Sequence, residues 1–227
     1  MQMLETKNLG FWYQNPADTL FKDVNLKFEA GKMYAILGKS GSGKTTFLSL
    51  ISGLDSAKEG EILYNDTSLA KIGLTKFRKH NLAIVFQAYN LFTYMSAYQN
   101  VDSALEISGV KKDNQREFIT ESLKSVGITE DLQHKKVSQL SGGQQQRVAI
   151  VRAMVTGADI IVADEPTGNL DEETGREIIN LFEKIAHEQK KIVILVTHDL
   201  DIAKRSDVTY ELRDKVFHKR VKEVTQA

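Results

Sequence analysis

Four short apolar runs, each followed by a residue suited to polar chemistry, dominate the hydrophobic pattern of the chain. Runs that are rich in β-branched residues and show no alternation are typical of strands buried on both faces, as in parallel sheets. Ligands bind at the carboxyl ends of such strands, so the polar residues are predicted to share one rim. The runs are Ala35-Ile36-Leu37 before a glycine-rich loop, residues 83–86 before Gln87, residues 160–163 before Asp164-Glu165, and residues 192–196 before Thr197-His198.

Helical periodicity fills the spaces between these runs and predicts an α/β fold. In residues 171–188, apolar residues recur at three- and four-residue spacing, which is typical of a helix that packs on a sheet. Between residues 87 and 140 the strand pattern disappears, which predicts an all-helical insert. We expect one domain over residues 1–227, with a core at about 1–89 and 156–227 and a helical subdomain at about 90–155. The predicted helices span residues 45–52, 97–108, 113–126, 144–155 and 171–188.

The first thirty residues follow a different pattern. Strand-like stretches occur at residues 4–9 and 24–28, and Asn15-Pro16 between them is a turn signal. This pattern predicts a small β layer beside the core.

Composition narrows the class of protein. The 227 residues suffice for one domain with a real hydrophobic core, and 30 basic against 30 acidic residues give no bulk charge that favours nucleic acid or an anionic membrane. Cysteine is absent, which excludes disulfides and Cys-ligated metal sites. Glu5 and Lys7 interrupt the N-terminus where a signal peptide is apolar, and no apolar run is long enough to cross a bilayer. We therefore expect a soluble protein whose membrane role passes through another chain.

The glycine-rich loop from Gly38 to Thr45 matches the phosphate-binding pattern G-x-x-x-x-G-K-[ST] in full. Its glycines let the backbone wrap phosphates, Lys44 places an ammonium near the terminal phosphates, and the Thr45 hydroxyl is a ligand for Mg²⁺. An ordinary glycine-rich turn is the alternative. The strand before the loop and the helix after it favour phosphate binding.

Asp164 and Glu165 place two carboxylates at the end of a predicted buried strand, on the same rim as the loop. Asp164 is expected to hold Mg²⁺ through a water, and Glu165 to polarise the attacking water as a general base. A solvated acidic turn before Pro166 is the alternative, which the loop opposite makes the weaker interpretation.

Three further elements are ambiguous when each is taken alone. Gln87 could be a capped strand-edge residue, His198 a neighbour of a helix cap, and Ser141 a plain helix N-cap. The position of Gln87 and His198 on the same rim as the first loop favours functional roles. Gln87 is expected near Mg²⁺ and the attacking water, and His198 is expected to donate to the terminal phosphate. A second glycine-bearing loop, residues 140–144, offers another anion site at a helix start.

In this order, the motifs resemble those of the ATP-binding cassette (ABC) ATPases, the nucleotide-binding subunits of ABC transporters. Residues 140–144 read as the family's signature sequence, Gln87 as its Q-loop, residues 169–171 as its D-loop and His198 as its switch histidine. The resemblance runs from about Leu4 to Arg213. It implies a P-loop NTPase (RecA-like) core with a mostly parallel sheet, an N-terminal antiparallel β layer and an α-helical signature subdomain.

The resemblance also implies ATP and Mg²⁺ as cofactors and a head-to-tail homodimer. In such a dimer the signature loop of one subunit closes on the ATP held by the other, and a two-fold axis makes the contact reciprocal. The implied catalytic residues are Lys44, Gln87, Glu165 and His198, and the implied Mg²⁺ ligands are Thr45, Gln87 and Asp164. The implied ATP-binding residues are Tyr13, which would stack on adenine, Gly38, Lys39, Ser40, Gly41, Ser42, Gly43, Lys44, Thr45, Thr46, Ser141, Gly142, Gly143 and Gln144.

Residues 164–171 and 85–91 resemble one branch in particular, which serves lipoprotein release, macrolide export, antimicrobial-peptide resistance and the related cell-division complex. The implied partner is an integral-membrane permease on a separate chain, and the implied location is cytoplasmic, on the inner face of the cell membrane. The aromatic segment from Tyr89 to Tyr98 would line the groove for that permease, or its rings would form the subdomain's own core.

Two other classes stay open beside the permease-driving ATPase. A soluble cassette ATPase acting on DNA or the ribosome usually carries a long coiled-coil insertion or two cassettes, and neither is visible here. A degenerate cassette that only binds ATP is opposed by the intact Lys44, Asp164, Glu165 and His198. A regulator of the division complex remains open as a variant of the permease-driving ATPase. The sequence does not identify the substrate, the direction of transport or the permease.

Overall fold

The computed structural model describes residues 2–220, which form two β-sheets with helices around them. The strands are β1 (Met3–Phe11), β2 (Phe21–Val24), β3 (Lys27–Glu29), β4 (Lys32–Leu37), β5 (Glu59–Tyr64), β6 (Thr67–Ser68), β7 (Leu82–Val85), β8 (Ile160–Asp164), β9 (Ile192–Thr197), β10 (Val208–Arg213) and β11 (Val216–Arg220). The helices are α1 (Lys44–Ile51), α2 (Leu69–Ile72), α3 (Leu74–His80), α4 (Ala97–Ser108), α5 (Gln115–Lys124), α6 (Glu130–Gln133), α7 (Gly142–Val155), α8 (Glu172–His187) and α9 (Leu200–Arg205). Within these residues, no helix has both the length and the apolar character that a membrane span requires.

The larger sheet has the strand order β11-β10-β4-β9-β8-β7. Its strands from β10 to β7 are parallel, and β11 is an antiparallel edge. The four apolar runs are therefore neighbouring parallel strands, β4, β9, β8 and β7, whose carboxyl ends meet at one rim. The predicted α/β class with a mostly parallel sheet is confirmed.

The N-terminal layer is an antiparallel sheet around β1, as predicted. β5 pairs with one edge of β1, and β2 and β3 share the other edge. The prediction of one strand over residues 24–28 is wrong, because the segment divides into β2 and β3. The Thr6 side chain lies at the break: its hydroxyl donates to the Val24 carbonyl at 3.0 Å and accepts from the Leu26 amide at 2.9 Å, and the Thr6 amide donates to the Leu26 carbonyl at 2.9 Å.

Three large apolar clusters hold these layers together. The first joins the antiparallel sheet to one face of the parallel sheet through α1, with Phe47 fully buried at its centre. The second lies on the opposite face under α8, which buries Ile178, Phe182 and Ile185 as its periodicity predicts. The third takes its buried residues from Ala97 to Val155 and forms the interior of the helical segment. The exact subdomain limits near residues 90 and 155 stay a prediction.

Candidate active site

The first glycine-rich loop leaves β4 at Leu37 and enters α1 at Lys44. Gly41 and Gly43 have φ angles of 76° and 105°, in the left-handed region that favours glycine. Lys44 is buried, and its ammonium donates to the carbonyls of Gly38 and Lys39 at 2.7 and 3.0 Å. The backbone therefore curls around a cation at the start of a helix, which is the geometry that binds phosphate.

Close packing under this loop explains its first glycine. A Cβ on Gly38 would lie 2.8 Å from the Ser42 hydroxyl oxygen and 2.9 Å from the Leu212 carbonyl oxygen. The Ser42 hydroxyl is itself buried without a hydrogen-bond partner among the described residues.

Asp164 is the last residue of β8, beside the first loop. Its Oδ1 atom is buried and has no hydrogen-bond partner among residues 2–220. Burial raises the pKa of the Asp164 carboxyl, and the negative charge of Glu165 adds to the rise, while the Lys44 ammonium opposes it. An ionised Asp164 here costs free energy until a cation approaches, so the site favours a positive ligand.

Glu165 adopts a left-handed backbone with a φ angle of 45°, which is rare for a residue with a side chain. The conformation is fixed by backbone hydrogen bonds: the Glu165 amide donates to the Val196 carbonyl at 2.9 Å, and its carbonyl accepts from the Gly168 amide at 3.1 Å. Strain of this kind is tolerated where it positions a functional group, and here it aims a carboxylate into the rim of the sheet.

His198 follows β9 and faces Glu165, as the shared rim predicts. Its Nδ1 donates to Oε1 of Glu165 at 2.9 Å, while 70% of the His198 side chain is exposed. The two residues are 33 positions apart in the sequence. Their contact joins the carboxylate expected to act as general base to the imidazole expected to contact the terminal phosphate.

Gln87 also lies on this rim, and its hydrogen bonds join it to Asn169. Its Nε2 donates to Oδ1 of Asn169 at 3.3 Å, and the Asn169 Nδ2 donates back to the Gln87 carbonyl at 3.1 Å. The expected place of Gln87 beside Mg²⁺ and the attacking water stays a prediction. The reciprocal pairing with Asn169 had no signal in the sequence, because it joins two loops 82 residues apart.

Tyr13 lies beyond the end of β1 and is 64% exposed. β1 ends at the buried Phe11, two residues before Tyr13. The Phe11 and Tyr13 rings pack edge to face with their centroids 5.3 Å apart, and the Tyr13 hydroxyl lies 2.6 Å from the Thr46 hydroxyl. An exposed aromatic face therefore stands beside the first loop.

These residues surround one cavity of about 630 Å³. It is lined by Tyr13, most of the loop from Lys39 to Thr46, Gln87, Glu165 and His198. The second loop, Ser141 to Gln144, lies outside it. Within residues 2–220 no group of three or more His, Cys, Asp or Glu side chains is arranged to hold a metal, so a cation here would depend on mixed ligands, including those of a bound phosphate.

A phosphate loop, a strand-end carboxylate and a strand-end histidine line one cavity, and a second, buried carboxylate, that of Asp164, lies beside them. Together these features define a P-loop NTPase. The family model described as ABC transporter matches residues 21–168. The structure is also similar to that of the dimeric, post-hydrolysis ATP-binding cassette MJ0796 of Methanocaldococcus jannaschii bound to ADP and Pi. The TM-score is 0.85 at 35% identity, and the match covers 97% of this chain and 99% of that one. The chain belongs to the ABC transporter family of ATP-binding proteins.

Two curated relatives refine this result. YclH of Bacillus subtilis, an uncharacterized ABC transporter ATP-binding protein, is 54% identical over 212 residues, which cover 93% of this chain and 94% of YclH. The macrolide export ATP-binding/permease protein MacB of Pasteurella multocida is 38% identical over 217 residues, 93% of this chain but 33% of MacB. The chain thus spans a third of the length of MacB. It is an ATP-binding and ATP-hydrolysing cassette, and its relatives lie in the predicted branch.

Proposed function

We propose that each ATP site of this protein is completed by the signature loop of a second copy, and that the resulting dimer drives a membrane permease on a separate chain. The placement of the two phosphate-binding loops carries the proposal. The first loop lines the cavity, whereas Ser141 is exposed outside it. Because the second loop does not reach the cavity of its own subunit, we infer that it binds the nucleotide held by the other subunit.

The second loop has the features of an anion site at a helix start. Ser141 caps α7: its hydroxyl accepts from the Gln144 amide at 3.3 Å, and the Gln144 side chain accepts from the Ser141 amide at 2.9 Å. The capping leaves first-turn amides, including that of Gly143, free for a phosphate of the partner's ATP. Gly143 also permits close packing, since a Cβ there would collide with Cγ2 of Thr174.

Within each subunit, Tyr13 stacks on adenine, and the loop from Gly38 to Thr46 binds the phosphates. Lys44 neutralises charge on the terminal phosphates. Glu165 takes the proton of the attacking water, and His198 donates to the terminal phosphate while it orients Glu165. Their convergence on the 630 Å³ cavity supports these roles.

Magnesium fits two oxygen ligands at this cavity: Thr45, which lines it, and Asp164, which lies against Thr45, Lys44 and Glu165. The buried, unpartnered Oδ1 of Asp164 is an orphan acceptor, and the Thr45 hydroxyl is exposed beside it at the start of α1. Hard oxygen ligands of this kind suit Mg²⁺, which keeps several waters and takes the rest of its shell from phosphate. Bound Mg²⁺ would neutralise phosphate charge, and Gln87 would reach it after leaving Asn169.

A groove of about 510 Å³ between α3, α4 and α7 is the docking place we propose for a cytoplasmic segment of the permease. Phe92 lines it and is 42% exposed. The other rings of the aromatic segment differ in whether they are free to contact a permease or are packed within the protein. Tyr94 is exposed, whereas Tyr98 stacks on His134 and Tyr89 packs on the core. Docking there would hold the protein at the cytoplasmic face of the membrane. The likeness to MacB, whose name joins ATP binding to a permease, supports the branch but not a particular cargo.

Ser141→Arg is expected to abolish ATP-dependent dimer formation and to lower turnover by on the order of 10²-fold, because a bulky side chain would stand where the partner's ATP must close. Binding of ATP to single subunits should stay native, since the cavity is untouched. Size-exclusion chromatography with ATP, a fluorescent-nucleotide titration and a phosphate-release assay would measure these effects.

Ser125→Arg is the matched control, because it adds the same charge at an exposed position of the helical segment. Native dimerisation and turnover in the Ser141 variant would contradict the composite site.

A further inference from the structure

The backbone just after Gln87 is strained at two consecutive residues. Tyr89 and Asn90 have φ angles of 61° and 49°, which side-chain-bearing residues rarely adopt. Tight turn bonds accompany the strain, since the Tyr89 amide donates to the Phe86 carbonyl at 3.0 Å and the Asn90 amide to the Ala88 carbonyl at 2.6 Å. Such a conformation persists only where its surroundings hold it.

Arg152, near the end of α7, supplies that hold. Its guanidinium donates through Nη1 to the Asn90 carbonyl at 2.5 Å and through Nη2 to the Tyr89 carbonyl at 3.0 Å. Arg152 is half-buried, and no carboxylate forms a salt bridge with it in the part of the chain that the structure describes. The rigid fork of the guanidinium thus fixes two adjacent carbonyls, which a lysine ammonium cannot match.

The Tyr89 side chain reaches the other end of the same helix. A Cβ added to Gly142 would lie only 2.9 Å from the Tyr89 hydroxyl oxygen and 3.6 Å from Cδ2 of Leu170, a residue of the D-loop. α7 runs for 14 residues from Gly142, so it is about 21 Å long. One short segment therefore touches α7 at the signature loop and near its C-terminal end.

We propose that Arg152 and Tyr89 are positioning residues that tie Gln87 to the signature loop of the same subunit, through the Tyr89–Asn90 backbone. A displacement of α7 would move the two carbonyls that Arg152 holds, and with them the chain that carries Gln87. The link rests on the proposed function in one respect, namely that the signature loop faces the ATP of the partner subunit. Through the link, Gln87 in one ATP site would respond when the signature loop of its own subunit closes on the other ATP site.

Arg152→Gln tests the link, because glutamine cannot donate to both carbonyls with the guanidinium fork. We expect unchanged ATP affinity of single subunits and a kcat lowered by on the order of tenfold to a hundredfold, as for a misplaced catalytic group. Without nucleotide, amide hydrogen exchange should accelerate at residues 87–91 and at residues 141–144 together. Arg152→Lys should have a kcat and exchange rates that lie between those of Arg152→Gln and those of the native protein.

The matched control is Arg116→Gln, an exposed arginine of the helical segment. A merely structural role of Arg152 would lower the melting temperature and speed exchange throughout residues 97–155, with no focus on the two loops. That pattern, or native exchange with native kcat, would overturn the proposal. Because exchange is measured without nucleotide, it tests the link even if the composite site is wrong.

A second pair of variants tests the Tyr89 contact. Gly142→Ala should lower activity, partly because its Cβ meets the Tyr89 hydroxyl, and Tyr89→Phe in the same chain removes that hydroxyl. We expect the double variant to regain several-fold of the lost turnover. Turnover no higher than that of Gly142→Ala would overturn the part that Tyr89 has in the link.

Discussion

Glu165→Gln is expected to lower ATP turnover by on the order of 10²–10⁴ while ATP binding and ATP-dependent dimer formation persist. The amide keeps the size of the side chain but cannot accept a proton from water. The strained backbone at Glu165 and its bonds to Val196 and Gly168 involve main-chain atoms, so the substitution leaves the geometry in place. Loss of a negative charge beside Asp164 also removes a repulsion from the phosphates, so the dimer should last longer.

Phosphate release under saturating ATP, together with size-exclusion chromatography, would measure both effects. Glu188→Gln, exposed just past the far end of α8, is the control for loss of a carboxylate. A Glu165 variant that hydrolyses ATP at the native rate would show that another group is the general base.

Lys44→Ala is expected to abolish tight ATP binding. The ammonium at the centre of the first loop would make charge-assisted bonds to phosphate, each worth about 1.5–3 kcal/mol, so affinity should fall by on the order of 10²-fold or more. Without nucleotide the same ammonium fills the loop by donating to Gly38 and Lys39. The variant therefore loses both the charge and the group that shapes the loop.

Isothermal titration calorimetry with ATP would measure this loss, and far-ultraviolet circular dichroism would confirm that the fold persists. Lys71→Ala, at an exposed position of α2, controls for the change in net charge. Unchanged affinity in the Lys44 variant would mean that the first loop is not the phosphate site.

The sequence predicted the parallel sheet well because its buried strands are continuous apolar runs. From that pattern alone, Gln87, Asp164, Glu165 and His198 were expected on one rim, where the structure places them. The pattern is weaker where strands are half polar. β5 begins with the exposed residues Glu59-Gly60-Glu61, and the sequence pattern does not predict this strand.

Contacts between residues far apart in the chain could not be predicted from the sequence, for a different reason. The bonds from Arg152 to the Tyr89 carbonyl and from Gln87 to Asn169 join residues 63 and 82 positions apart. Neither pair leaves a periodic or compositional trace, because tertiary packing alone brings these residues together. The division of β2 from β3 depends likewise on the hydroxyl of Thr6, 18 residues before Val24.

The most direct test of the composite site is a mixing experiment. The Lys44→Ala chain has a defective first loop and an intact signature loop, and the Ser141→Arg chain has the reverse. In a mixed dimer, one site combines the two intact halves, so an equal mixture should recover turnover toward about a quarter of the native rate if its sites act independently. Turnover that stays at the sum of the two separate variants would contradict a site shared between subunits.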